Sequence, residues 1–141
     1  MSKIWQSDVD LKVLNGFSKD TCNGYLGIEF LEYGDDFLIA SMPVNAHTVQ
    51  PMRILHGGAS VVLAETVGSV ASAMCVGEGK TAVGVSINAN HLRPVPEGAV
   101  VTAICTPIRL GRTLHVWDIK IRDQKDRMTC ISRLTMAVVD I

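Results

Sequence analysis

The sequence lacks the features that mark several large classes of protein. Its 141 residues carry 13 basic and 14 acidic side chains, so the formal net charge is −1. A general nucleic-acid or membrane-surface binder would have a positive excess instead. The first residues, MSKIWQSDVDLKVLNGF, lack the apolar core of a signal peptide. We therefore expect a soluble, cytoplasmic protein with no nucleic-acid or membrane partner.

Cysteine and histidine are also scarce. The four cysteines show no CxxC spacing and have mostly apolar neighbours, which indicates buried, reduced thiols. They are Cys22, Cys75, Cys105 and Cys130. His47 and His115 look structural or exposed, and no group of residues has metal-ligand spacing. The motif GxSxG is absent, which argues against a serine nucleophile. No metal and no cofactor are expected.

Periodic apolar segments are what the sequence does contain. Leucine and phenylalanine at three-residue spacing in residues 7–17, with Ser7 and Asp8 as cap residues, predict a short helix. Six further runs are typical of strands: residues 25–33, 36–44, 81–92, 99–109, 113–122 and 128–139. Turn-forming residues at 34–36, 94–98, 111–112 and 123–127 predict that these strands form antiparallel hairpins.

Residues 59–76 form the longest apolar segment. It is too long for a usual strand and apolar on nearly every side, which predicts a helix enclosed by other structure. Its valines disfavour an isolated helix, so burial must stabilise it. The order of helix, two strands, long helix and four strands fits an α+β arrangement in one domain, residues 1–141. An antiparallel sheet would wrap around the central helix. In residues 113–122, one dry face is predicted to carry His115, Trp117, Ile119 and Ile121.

Glu65 is the single charge between residues 59 and 75. Burial disfavours the charged form of a carboxylate unless a donor compensates. Either Glu65 has a structural role at a subunit edge or beside a hydroxyl, or it is part of a reactive site. Ser69 lies one helical turn further on the same face and could hold the carboxylate or a water. A serine in a helix often only bonds the carbonyl one turn back, so both interpretations of Ser69 stay open.

Two glycines stand at the start of the same helix. Gly57 and Gly58 leave backbone N–H groups unobstructed at the positive end of the helix dipole, which suits a developing oxyanion. Gly57 and Glu65 are eight residues apart, about 12 Å along one helix. A reacting carbon must lie about 3 Å from both groups, so one helix cannot supply both. Two helices related by a two-fold axis would, which predicts an obligate homodimer.

The residues resemble those of the small hotdog-fold acyl-CoA thioesterases. The motif HGGASVVLAE, the upstream Gln50-Pro51 and the stretch INANHLRP carry the resemblance, and it covers nearly the whole chain. They look like the branch with 1,4-dihydroxy-2-naphthoyl-CoA and enterobactin-proofreading thioesterases. The resemblance implies a dimer of dimers, a homotetramer, and menaquinone biosynthesis as one pathway.

The resemblance also implies roles for individual residues. Glu65 would be the nucleophile or general base, and the Gly57 N–H with Gln50 would polarise the thioester carbonyl. His56 would help to bind the thioester or leaving thiol, and Ser69 would orient Glu65 or its water.

Coenzyme A binding is implied for a second group of residues at a strand end and in a loop. They are Gly84, His91, Arg93, Arg109 and Arg112. Arginines at strand ends are often only solvated charges, and that alternative stays open for Arg109 and Arg112.

The predicted function is hydrolysis of acyl-CoA thioesters with aromatic or medium-sized acyl groups to the free acid and CoA. The alternatives are a non-catalytic acyl-CoA-binding module, an acyl-CoA hydratase of related fold, and a thioesterase for acyl groups on carrier protein. Release of free thiol distinguishes hydrolysis from binding and from hydration.

Overall fold

The computed structural model describes residues 2–141. Its helices are α1 (Leu11–Gly16), α2 (Cys22–Tyr25) and α3 (Gly57–Cys75). Its strands are β1 (Glu29–Tyr33), β2 (Leu38–Pro43), β3 (Lys80–His91), β4 (Val100–Leu110), β5 (Leu114–Arg122) and β6 (Met128–Asp140). The predicted order of elements is confirmed except for α2, a short helix that was not predicted. β1 is shorter than predicted because the start of its run belongs to α2.

The six strands form one antiparallel sheet in the order β1-β2-β4-β5-β6-β3. The predicted hairpins β1–β2, β4–β5 and β5–β6 are confirmed. A hairpin between β3 and β4 is wrong, because β3 pairs with β6 at the opposite edge. Residues 94–98 therefore form a crossover, and Pro96 bridges to Ile54 in the loop before α3. A turn sequence reverses the chain but does not specify which strands pair.

The long helix α3 packs on one face of this sheet. Leu63, Val67 and Ala71 are fully buried in the contact. Gly68 permits close packing, because a Cβ there would overlap the side chain of Leu134. Length and composition alone would also suit a membrane span. Its buried side makes α3 the core helix of the hotdog fold.

Residues 2–141 leave the opposite side of α3 uncovered. Glu65 on this side is exposed, and Val61, Val62 and Ser69 are only half-buried. The prediction that other structure encloses α3 on all sides is therefore wrong for one chain, because a single sheet can cover only one side of a helix. The apolar residues on the open side remain available for contacts beyond the chain.

The strand faces follow the predicted alternation. The side chains of β5 that point towards α3 are buried, and they are His115, Trp117, Ile119 and Ile121. The same row continues through Leu134 and Met136 of β6. This face of the sheet and the buried side of α3 together form the core.

The first helix begins later than predicted. Asp10, and not Ser7 or Asp8, caps α1, since its carboxylate accepts hydrogen bonds from the N–H groups of Lys12 and Val13. Asp10 has an extended backbone, which allows its side chain to reach these first N–H groups. After α1 the chain turns into α2, which packs against α3.

Candidate active site

A groove of about 420 Å³ runs along the open side of α3. Two adjacent rows of residues one turn apart form its floor: Val61, Glu65 and Ser69, and Val62, Thr66 and Val70. Asn23 of α2 forms the remaining wall. We call this the carboxylate groove. It combines three valines with a carboxylate, two hydroxyls and an amide.

Glu65 stands free in this groove. It is exposed, and the salt bridges among residues 2–141 do not include it. Its Oε2 lies 3.2 Å from the position that a Cβ on Gly84 would occupy. Gly84 stands at a β-bulge in β3, where the register shifts before Ser86. A bulge beside a reactive group is a common means of aiming the backbone at it. Gly84 therefore belongs to the surroundings of the carboxylate.

Ser69 lies one turn after Glu65 but does not bond it in the single chain. Its hydroxyl is 3.7 Å from the sulfur of Met136 on β6 and donates to it. Thr66, in the other row, also bonds to a neighbouring element. Its hydroxyl donates to Asn23 Oδ1 of α2 at 3.1 Å. Sequence reasoning missed both partners, because a methionine in a strand resembles any core residue.

The start of α3 presents one free donor. His56 is the N-cap, and its Nδ1 accepts the Gly58 N–H at 2.8 Å. The His56 N–H itself donates to the Thr48 carbonyl at 2.8 Å. Of the two glycine N–H groups, Gly58 is thus occupied, whereas Gly57 donates to no group within residues 2–141. Of the two glycines, Gly57 is therefore the one whose N–H is left for the expected oxyanion. In neutral His56 the proton lies on Nε2, which can donate to a ligand.

A second groove of about 380 Å³ opens beside this N–H. We call it the amide groove. Its lining residues are Ile54, Leu55, Gly57, Ser60, His91, Leu92, Arg93, Pro94 and Thr129. A Cβ on Gly57 would lie 3.0 Å from His91 Nε2, so the imidazole closes one side of the donor. The structure therefore brings together Gly57, His91 and Arg93, while Glu65 lies in the other groove.

Comparison with known proteins agrees with this geometry. Residues 52–130, which contain both grooves except for Asn23, match the model of the thioesterase superfamily. The chain belongs to the thioesterase superfamily. It is an enzyme that hydrolyses thioesters.

Individual relatives support the assignment over the full length. A putative esterase of Haemophilus influenzae is 49% identical over 98% of this chain and 99% of its own. A 1,4-dihydroxy-2-naphthoyl-CoA hydrolase of Escherichia coli is 47% identical over 96% of this chain and 99% of its own. The crystal structure of a mutant thioesterase from Pseudomonas aeruginosa, 48% identical, superposes with a TM-score of 0.96 over 99% of this chain and 100% of that one. The expected resemblance to hotdog-fold acyl-CoA thioesterases is confirmed.

The loop before α3 of the thioesterase holds Gln50. Its backbone carbonyl accepts from Arg53 N–H at 2.8 Å, and its side-chain oxygen accepts from the Met52 N–H. Arg53 and Glu97 form an ion pair that ties this loop to the crossover. With its oxygen engaged, the Gln50 side chain has its NH₂ group left to donate to a ligand.

Arg109 and Arg112 lie elsewhere in the thioesterase. They stand at the β4–β5 turn, next to Leu110, which pairs with His115. His91 pairs with Cys130 near the other end of the sheet. One chain therefore does not bring these two arginines into either groove, whereas Arg93 lines the amide groove.

The thiols are poor candidates for nucleophiles. Burial raises the pKa of Cys75 to about 12, and it also raises the pKa of Cys105 and Cys130. All four cysteines are free, and Cys22 is exposed, contrary to the prediction that it is buried. A thiol whose pKa burial raises stays protonated, and a protonated thiol is a weak nucleophile.

A buried polar cluster lies behind α3. The Ser72 hydroxyl is 3.0 Å from His115 Nδ1 and accepts the Trp117 indole N–H at 2.6 Å. Burial lowers the pKa of His115, which keeps the imidazole neutral in the core. The interpretation of His115 as structural is consistent with this. His47 is exposed.

Proposed function

We propose that the thioesterase hydrolyses acyl-CoA thioesters at sites shared by two protomers. The observation that carries this proposal is the separation of the two reactive groups. The free N–H of Gly57 and the free carboxylate of Glu65 stand eight residues apart on α3, about 12 Å by helix geometry. A thioester carbonyl cannot contact both on one helix. The carboxylate groove of one protomer would face the amide groove of its partner.

The edge of the sheet supports a dimer of this kind. β3 pairs only with β6, so its other edge carries backbone groups free of strand partners within residues 2–141. Val83 and Val85 of β3 are 47% and 61% exposed. An exposed, apolar edge strand is a site for pairing with a second copy. A two-fold axis here would give a homodimer with two equal sites, and two such dimers would form the homotetramer.

Each residue then has a role in hydrolysis. The thioester oxygen would accept from the Gly57 N–H and the Gln50 amide, while His56 Nε2–H would bind the thioester or the leaving sulfur. Glu65 would attack the carbonyl carbon itself or activate the water that does. The C–S bond breaks, the acid leaves with the water oxygen, and the proton from water ends on the CoA sulfur.

The amide groove suits the CoA side of the substrate. His91 and Arg93 supply donors beside the Gly57 N–H, and a guanidinium binds phosphate oxygens well. Arg109 and Arg112 would contribute only from a neighbouring protomer, given their place at the far turn.

The carboxylate groove suits the acyl group. Val61, Val62 and Val70 provide apolar contact, and the Thr66–Asn23 pair places one polar point in the wall. Since Asn23 Oδ1 accepts from Thr66, the Asn23 NH₂ can donate to an oxygen on the acyl group. Aromatic acyl groups with a hydroxyl fit these features, and one relative is named a 1,4-dihydroxy-2-naphthoyl-CoA hydrolase. We place this reaction in the cytoplasm.

The test is release of free thiol from benzoyl-, hydroxybenzoyl-, naphthoyl-type and straight-chain acyl-CoA, and from acyl carrier protein. We expect turnover of aromatic acyl-CoA, and Glu65→Gln should retain binding and fold while kcat falls about 10³-fold. Near-normal hydrolysis by Glu65→Gln would refute the assignment. Acyl-CoA binding without thiol release by the wild type would favour the alternative of a binding module.

A further inference from the structure

The Ser69 hydroxyl has a single proton, and its position decides what the residue can do. Ser69 Oγ lies 3.7 Å from Met136 Sδ. A thioether sulfur has no proton to give, so in this contact Ser69 must be the donor. The proton of Ser69 is therefore turned away from the carboxylate groove. Its lone pairs remain to accept hydrogen bonds from a molecule in the groove.

Met136 is held in place by the sheet. It is 1% exposed and pairs with Gly84 on one side and His115 on the other. Its sulfur lies 3.9 Å from the position that a Cβ on Gly84 would occupy, and Glu65 Oε2 lies 3.2 Å from the same point. Met136, Ser69 and Glu65 thus meet beside the β-bulge of β3. Sequence reasoning did not single out Met136.

We propose that Met136 is a positioning residue that accepts the hydrogen bond of the Ser69 hydroxyl, so that Ser69 and Glu65 act as two acceptors for one water. This inference rests on the proposed function. A water that donates both hydrogens to these acceptors points a lone pair away from them, towards the thioester carbon. Its oxygen forms the new C–O bond as one proton passes to Glu65. The C–S bond then breaks, and Glu65 returns the proton to the leaving sulfur.

Leucine at position 136 would keep the volume and remove the acceptor. The Ser69 proton could then turn to the Glu65 carboxylate, one helical turn away in the same groove, and displace the water. For Met136→Leu we expect kcat to fall about fivefold to tenfold with KM little changed, which corresponds to one lost hydrogen bond. The acid limb of the kcat–pH profile should move to lower pH, because a hydrogen bond to the carboxylate favours its charged form. A change in packing alone would not move this limb.

The decisive experiment is a double-mutant cycle of Met136→Leu and Ser69→Ala, with kcat for benzoyl-CoA as the readout. We expect leucine to have no effect once Ser69 is alanine, because no proton remains to be positioned. An equal loss in both backgrounds would show a packing role and overturn the inference. Met42→Leu is the matched control, a fully buried methionine on β2 whose replacement should leave kcat unchanged. Glu65→Gln is measured alongside: its full activity would overturn the proposed function instead.

Discussion

The two halves of the candidate site differ in how much of each is completed within one chain. At the start of α3, His56 caps the helix, bonds Gly58 and Thr48, and leaves the Gly57 N–H fixed and free. Two turns further on, Glu65 is exposed and makes no ion pair within residues 2–141. A donor that is already positioned and a carboxylate without an ion-pair partner fit the proposed site, in which a second protomer supplies what one chain leaves open.

The largest loss of activity is expected from a change at the start of α3. Gly57→Pro removes the free N–H at the first helical position, where proline is tolerated, and the extended backbone of His56 suits a following proline. We expect kcat to fall about 10²- to 10³-fold with little change in melting temperature.

Gly57→Ala is the matched control for that variant, because it brings the same Cβ within 3.0 Å of His91 Nε2 but keeps the N–H. Its loss of kcat should be much smaller. Equal losses in the two variants would show that contact with His91, and not the N–H, matters.

A smaller effect is expected in the wall of the carboxylate groove. Asn23→Leu removes the amide that can donate to an oxygen on the acyl group. The variant's preference for hydroxybenzoyl- over benzoyl-CoA, measured as the ratio of kcat/KM values, should be about tenfold lower than that of the wild type. Thr66→Val keeps the Asn23 amide but removes the hydrogen bond that joins Asn23 to α3. This variant should retain the preference for hydroxybenzoyl-CoA. If both variants lose activity equally on both substrates, the pair only ties α2 to α3.

The smallest effect lies behind the groove, at His115. Burial lowers the pKa of His115 from the ordinary 6.5. Below pH 6.5 the unfolded chain therefore binds a proton at His115 more readily than the folded chain does, and the folded state loses stability. This lost stability amounts to at most about 1.4 kcal/mol between pH 7.5 and 5.5. His115→Gln should lose less free energy of unfolding over this interval, as measured by urea denaturation. The exposed His47→Asn should behave as wild type, and an equal acid loss in His115→Gln would contradict the assignment.

The sequence predicted the parts of the fold that depend on local periodicity. The period of two in residues 113–122 correctly placed Trp117 in the core, and the long apolar run correctly predicted α3. Strand pairing was less accessible: β3 pairs with β6 and not with β4, because alternation shows that a strand has a dry face but not which neighbour it has. The cap of α1 was also misplaced. Ser7, Asp8 and Asp10 all have side chains that can cap a helix, and residue type alone does not show which of them does so.

The candidate site was predictable where residue type alone implies chemistry. Glu65 and Gly57 stand out by charge and by the missing side chain, and the structure gives each an open groove. Met136 could not be found this way, because its relevance comes from a distance to Ser69 across two elements. The enclosure of α3 was also overestimated, since an apolar surface in the sequence does not show whether the same chain or another copy covers it.

The central claim is that Gly57 and Glu65 of different protomers act on one thioester, and hybrid dimers test it directly. Glu65→Gln and Gly57→Pro chains, each nearly inactive alone, are unfolded and refolded together. Random pairing makes about half of the dimers hybrids, and each hybrid has one of its two sites intact. Thiol release should therefore recover to about a quarter of the wild-type value. Recovery to that level is the predicted result. A mixture no more active than its components, with hybrids verified by differential tags, would contradict the shared site.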